Sequence, residues 1–243
     1  MKLGSAPGPS PSSRSSARVK GFFGHIAPRY DLVNALSSLG LDRHWRRAAV
    51  RLAELPTGSR ALDLAAGTGG LTLALAKLGE PALLVAVDFV PEMLALARRK
   101  LERYQGPTRI AFNLADAERL PFHAQSFDAV TIAFGVRNLG DRAASFREAY
   151  RVLKPGGRYV ILELARPAFA PFRAAYHTYL STVVPLWGAL LARDAEAYRY
   201  LRDSVRASLD PAAMAADLRA AGFARVDWQA LTSGIVTVHL AVK

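Results

Sequence analysis

Past the break at Pro56-Thr57-Gly58, short and mostly apolar runs alternate with stretches of helical spacing. The runs Ala61–Ala65, Ala82–Val87, Ile110–Leu114, Ala129–Phe134 and Tyr159–Leu164 are too short for helices and too continuous for one-sided strands. They predict strands buried on both faces, the pattern of a parallel sheet. Between them, Leu71 to Leu78 and Ala143 to Leu153 read as helices, ended by Gly79 and by Pro155-Gly156-Gly157. A third opens at Pro91 and sets Met93, Leu94, Ala97 and Leu101 on one face. Asp210-Pro211 caps a last helix that stops at Gly222, and strands Val226–Leu231 and Ile235–Val242 close the chain. The alternation predicts an α/β fold with a mostly parallel seven-stranded sheet covered by helices on both sides.

Three segments fall outside this rhythm. Residues 1–18 are rich in Pro, Ser, Ala and Gly and lack the apolar stretch of a secretory signal, so they read as a disordered leader. Residues 19–56 interleave aromatic and basic side chains (Phe22, Phe23, Tyr30, His44, Trp45) and read as a helical cap. Residues 167–208 form a helical insertion before the last helix. Within it Ala174 to Ala192 carries no formal charge, but His177, Thr178, Ser181, Thr182, Pro185 and Gly188 interrupt it, which argues against a spanning helix. An apolar lid fits better. Residues 19–243 are then a single domain.

Charge changes the picture only when it is located. The 243 residues carry a net charge of +12, of which residues 1–60 hold +7, residues 61–165 hold +2 and residues 166–243 hold +3. A basic N-terminal arm suits an anionic partner, either membrane lipid or nucleic acid. With no cysteine, disulfides, zinc ribbons and thiol nucleophiles are excluded, and no metal is expected.

The turn Gly67-Thr68-Gly69-Gly70 follows the first strand, and Asp88 ends the second about twenty residues on. Glycines let a backbone approach a nucleoside, and an acid there accepts hydrogen bonds from ribose hydroxyls. A dinucleotide fingerprint starting at Gly67 needs glycine at position 72, where this chain has Thr72. Asp63, near the end of the first strand, would repel a pyrophosphate but suits the ammonium and sulfonium of S-adenosylmethionine. Asp116 and Ala117, after the third strand, are placed for an adenine, and Met93 for the face of the base. The tetrad Asn/Asp-Pro-Pro-aromatic of nucleobase N-methylases is absent after the fourth strand, as is the cysteine of cytosine-C5 methylases, so no nucleic-acid partner is expected.

The motifs go further. Phe23-Gly24-His25-Ile26-Ala27-Pro28-Arg29-Tyr30-Asp31-Leu32-Val33-Asn34, then Ser37 and His44-Trp45-Arg46, resemble the opening signature of the menaquinone and ubiquinone biosynthesis C-methyltransferases (the MenG/UbiE family). Leu62 to Gly69 and Phe134-Gly135-Val136-Arg137-Asn138 are similar to its central motifs. Tyr198-Arg199-Tyr200-Leu201 with Ser204, Ala221-Gly222-Phe223, and Leu231-Thr232-Ser233-Gly234 with His239 are similar to its C-terminal half. The resemblance implies a class I S-adenosylmethionine-dependent methyltransferase of Rossmann-like fold. Its expected reaction is methylation of a ring carbon in a polyprenylated quinol, demethylmenaquinol to menaquinol. The ubiquinone precursor 2-polyprenyl-6-methoxybenzoquinol, a sterol or a phospholipid are the alternative acceptors. The cofactor set implied is Thr68, Asp88, Asp116 and Ala117, joined by Asp63, Gly67, Gly69 and Met93. Arg137 is expected to stabilise a phenolate, Asn138 to orient the ring, and Tyr30, or a water on Arg137, to take a proton, with His25 a second candidate base. His239 reads as core. Gly70 stands where members usually have an acid, and Ala133 where ubiquinone-type members carry serine. A cytoplasmic enzyme resting on the anionic inner face of the membrane is expected, with room for a homodimer.

Overall fold

Residues 21–24, 27, 30–167, 169–183 and 210–243 are described by the computed structural model. Its strands are β1 (Arg60–Leu64), β2 (Leu83–Asp88), β3 (Arg109–Leu114), β4 (Phe127–Ala133), β5 (Leu153–Leu164), β6 (Arg225–Leu231) and β7 (Val236–Val242). They form one sheet in the order β3-β2-β1-β4-β5-β7-β6. Strands β1 to β5 pair in parallel, while β7 runs antiparallel to both β5 and β6. The order reverses about β1, leaving a crevice at the carboxyl ends of β1 and β4, where open α/β sheets bind ligands.

Helices α1 (Tyr30–Ser38), α2 (Asp42–Ala53), α3 (Gly70–Leu78), α4 (Pro91–Leu101), α5 (Arg142–Val152), α6 (Ala170–Thr178) and α7 (Pro211–Ala220) surround the sheet. Alternate strand residues serve opposite faces, which is why the runs are continuously apolar. Leu62, Leu64, Tyr159 and Ile161 pack with Phe146 of α5 and Leu218 of α7. Ala61, Leu84, Val160 and Leu162 pack with Trp45 of α2 and Leu75 of α3. Asp63 has the parity of Ala61 and so faces the α2–α3 side.

Local chemistry sets the element ends. Asp141 and Asp210 cap α5 and α7, accepting from the amides of Ala144 and Ala212 at 2.9 Å each. In α2, Trp45, Ala49, Val50 and Ala53 form one buried face, which fastens the N-terminal region to the sheet. Its Trp45 Nε1 also donates to Thr232 Oγ1 at 2.8 Å, in the turn between β6 and β7.

The strands match the sequence expectation to within a residue or two, with one exception. β5 begins at Leu153 rather than after the Pro-Gly-Gly turn, because the turn is absorbed as a bulge. Phe127 pairs with Leu153 while Ala129 pairs with Arg158, and Gly156 takes φ +73°. His239 is fully buried, with Nε2 3.0 Å from the Pro211 carbonyl, and burial lowers its pKa; it is a core residue.

After α6 the chain makes a π-helical turn, Tyr179–Val183. The leader expected over 1–18, His25, the Tyr198–Ser204 motif and most of the expected lid lie outside the described residues. Among the described residues, no helix is long and apolar enough to cross a membrane.

Candidate active site

The loop from β1 to α3 bends through three left-handed residues, Ala65 (φ +47°), Gly67 (φ +55°) and Gly69 (φ +79°). A glycine is needed at 69 for packing as well, since a Cβ there would lie 3.1 Å from both Ala97 Cβ and Leu101 Cδ1 of α4. Gly69 therefore faces α4. Gly67 instead faces the crevice, where its nearest side chain is Tyr30.

Asp88 braces that turn. Its Oδ2 accepts from the Gly67 amide at 2.8 Å and its Oδ1 from the Val90 amide at 2.9 Å. With the Phe89 amide also drawn to it, the carboxylate still keeps lone-pair capacity for a further donor. Burial raises the Asp88 pKa, against the pull of those backbone hydrogen bonds.

Asp88 and Gly67 share one cavity with Tyr30, Met93, Asp116, Ala117 and Asn138. Sequence reasoning gave no role to Phe89, which also lines it; the signal was an aromatic directly after the strand-end acid. Asp116 is exposed at the rim, its Oδ1 accepting from the Glu118 amide at 2.9 Å. Met93 and Ala117 are buried walls.

Asp63 and Thr68 line a second cavity, which meets the first at Tyr30, Ala65, Gly67 and Phe134. Asp63 is 1% exposed and accepts from Thr72 Oγ1 at 2.6 Å and Thr131 Oγ1 at 2.9 Å. Desolvation pushes its pKa up to about 6, opposed by those two hydroxyls and by the charge of Arg46. Thr72 stands where a dinucleotide fingerprint needs glycine, and its hydroxyl is spent on this carboxylate. Thr68 Oγ1 donates to Asp31 Oδ1 at 2.6 Å, and Lys100 closes the group with a 2.5 Å ion pair to Asp31.

Past β4, each residue of Phe134-Gly135-Val136-Arg137-Asn138 has its own task. Phe134 is left-handed (φ +58°), a costly conformation for a bulky residue. Gly135 is tight, for a Cβ there would lie 2.8 Å from Ala65 Cβ. Val136 is buried in the core. Arg137 Nη1 donates to the Phe134 carbonyl at 2.8 Å and pairs with Glu163 Oε1 at 2.5 Å. Both side chains are buried, and Glu163 also accepts from the amides of Arg137 (3.3 Å) and Leu164 (2.9 Å). Asn138 is thereby held at the wall of the main cavity. Arg137 itself lines a third cavity with Asn34, Arg46 and Tyr176. There burial pushes the Tyr176 pKa up to about 12. Glu163 was missed from sequence, although a carboxylate inside an apolar parallel strand was the available signal.

The donor set fits S-adenosylmethionine. A buried carboxylate with spare acceptor capacity suits a ribose, apolar walls at Phe89, Met93 and Ala117 suit an adenine, and a second carboxylate suits an ammonium.

Comparison with known proteins gives the same picture. Residues 12–243 match the model of the ubiE/COQ5 methyltransferase family. The demethylmenaquinone methyltransferase of Thermus thermophilus is 48% identical over 218 residues, covering 90% of this chain and 98% of that one. The ubiquinone/menaquinone biosynthesis C-methyltransferase UbiE of Pseudomonas paraeruginosa is 40% identical over 234 residues, covering 96% and 91%. Among solved structures, a SAM-dependent methyltransferase of Thermotoga maritima, a possible histamine N-methyltransferase, superposes with TM-score 0.63 at 17% identity, covering 93% of this chain and 99% of that one. At that identity the likeness concerns the fold.

Proposed function

Since the chain belongs to the ubiE/COQ5 methyltransferase family, we propose that it methylates a ring carbon of a polyprenylated quinol, converting demethylmenaquinol to menaquinol. S-adenosylmethionine, when bound, supplies an electrophilic methyl group. The chain's residues hold both partners, exclude water and make the ring carbon nucleophilic. The observation that carries this reading is one cavity with two kinds of wall. Gly67, Asp88, Met93 and Ala117 offer a nucleoside site, and Tyr30 and Asn138 offer hydrogen-bonding groups beside it.

A quinol carbon becomes nucleophilic as its hydroxyl loses a proton. We assign Tyr30 to the hydroxyl, as the relay that passes its proton to solvent, and Asn138 to orienting the ring; they line the cavity from α1 and from the turn after β4. We assign Arg137 to positioning, because its charge is balanced by buried Glu163 and its Nη1 holds the Phe134 carbonyl. Its remaining field, with that of Arg46, acts on the neighbouring cavity and favours negative charge there.

An apolar groove near the site suits the tail. The Arg137 cavity shares the side chains of Trp45 and Tyr176 with a neighbouring groove of about 310 Å³ walled by Leu39, Leu41, Phe172, Tyr179 and Ile235. Leu39 is 73% exposed and Phe169, just before α6, 69%. At about 0.8 kcal/mol per CH₂, a polyprenyl chain binds such a surface or the bilayer rather than water. With +7 on residues 1–60, this supports work at the anionic inner face of the membrane. Ala133, lining the main cavity, favours the menaquinone precursor over the ubiquinone one.

The test is methyl transfer from labelled donor to reduced demethylmenaquinone, with 2-polyprenyl-6-methoxybenzoquinol, a sterol and a phospholipid alongside. Product from demethylmenaquinol is expected. Labelling only of one of the others would refute the substrate. Failure to float with anionic liposomes would refute the membrane association.

A further inference from the structure

Arg46, on α2, lines the second cavity together with Asp63 and residues of the glycine turn, and its charge acts on Asp63. Its Nη1 is taken by an ion pair with Asp42. Its other edge lies over Gly70: a Cβ on that residue would sit 3.0 Å from Arg46 Cζ, 3.1 Å from Nε and 3.2 Å from Nη2. A side chain at position 70 would therefore displace the guanidinium. Glycine leaves the Nε–Nη2 edge beside the start of α3, and this is the edge through which arginine grips a carboxylate with two parallel hydrogen bonds. Gly69 gives α3 no side-chain cap, so its first amides add a favourable end for negative charge. The same cavity is lined by Asp63, buried and held by two threonine hydroxyls. One small cavity thus sets a guanidinium against a carboxylate, the charge pattern complementary to an α-amino-acid terminus.

We infer that Arg46 and Asp63 form a subsite for the amino-acid end of the methyl donor, Arg46 receiving its carboxylate and Asp63 its ammonium. The inference rests on the methyl-transfer reading above and adds a cofactor residue, Arg46, with Gly70 as the residue that makes room for it. It also gives the charge at Arg46 a place in cofactor selection: adenosine derivatives without a carboxylate lose the contact.

Calorimetry with three probes tests this: S-adenosylmethionine, decarboxylated S-adenosylmethionine and 5′-methylthioadenosine. The wild type should bind S-adenosylmethionine about 10- to 100-fold more tightly than the decarboxylated form, the size of a charge-assisted hydrogen-bond pair. Arg46→Met should lose that advantage while binding decarboxylated S-adenosylmethionine and methylthioadenosine as the wild type does, which also reports that the variant is folded. Arg46→Lys should restore part of it, and it carries the same reading if the methionine variant does not fold. Equal weakening of all three probes, or no weakening of any, overturns the inference. So does an Arg46→Met enzyme with normal S-adenosylmethionine affinity and a raised KM for the quinol, because Arg46 would then serve the acceptor cavity. A wild type that binds none of the probes overturns the methyl-transfer reading itself.

Discussion

Replacing Glu163 by alanine removes the acceptor for three donors, Arg137 Nη1, the Arg137 amide and the Leu164 amide, and leaves the guanidinium facing a void. The side chains of this pair are 9% and 2% exposed, so solvent cannot replace the lost partner. Breaking a buried ion pair from one side costs about 3–5 kcal/mol. For a chain of this size that corresponds to a melting temperature lower by about 6–20 °C. Urea unfolding monitored by circular dichroism gives the value directly. Glu163→Gln should lose less, because one oxygen still accepts while the amide nitrogen opposes the Arg137 N–H. The double variant Arg137→Met/Glu163→Leu should recover to within about 2 kcal/mol of wild type, since an apolar pair replaces a desolvated ionic one. Its turnover should stay low, because the Phe134 carbonyl then loses the Arg137 donor that helps to hold the turn carrying Asn138. A Glu163→Ala protein within about 1 kcal/mol of wild type would refute the argument, and a double variant with full turnover would refute the positioning role.

Three further outcomes are expected. Asp88→Ala should weaken S-adenosylmethionine binding by about 1.5–3 kcal/mol, measured by calorimetry, through lost charge-assisted hydrogen bonds; unchanged affinity would remove Asp88 from the site. Asp63 has a folded pKa of about 6 against an ordinary 3.8, so its contribution to stability is full below pH 3.8 and falls away as pH rises to about 6. Relative to Asp63→Asn, the wild type should therefore lose about 3 kcal/mol between pH 3.5 and 7 in urea titrations, while its affinity for the cationic donor rises over the same range. Gly69→Ala should cost about 1–3 kcal/mol, from its left-handed φ and the 3.1 Å approach to Ala97 and Leu101, seen as a lower melting temperature.

Much of this was legible along the chain, and the reason is local. Strands buried on both faces must be continuously apolar, so β1 to β5 announce themselves, and a nucleoside site needs glycine and an acid at fixed distances from the strand ends, so Gly67 and Asp88 do too. The motif Phe134 to Asn138 was equally visible as a string, but its division of labour was not. Arg137 reads as a free charge until β5 is laid beside β4, when Glu163 comes within hydrogen-bonding reach and turns it into an anchor for the turn. Gly69 reads as a cofactor glycine, and the packing of α4 across it adds a second demand for glycine that the sequence does not show. Arg46, on a helix before the sheet begins, gains its meaning only when α2 folds against the glycine turn and brings it into one cavity with Asp63. Periodicity and residue type, the properties of neighbours in sequence, dictated the sheet, the turn and the class of ligand. Which charges are neutralised and which are presented to a ligand depends on partners tens of residues away, and only burial, by stripping water from those pairs, decides that.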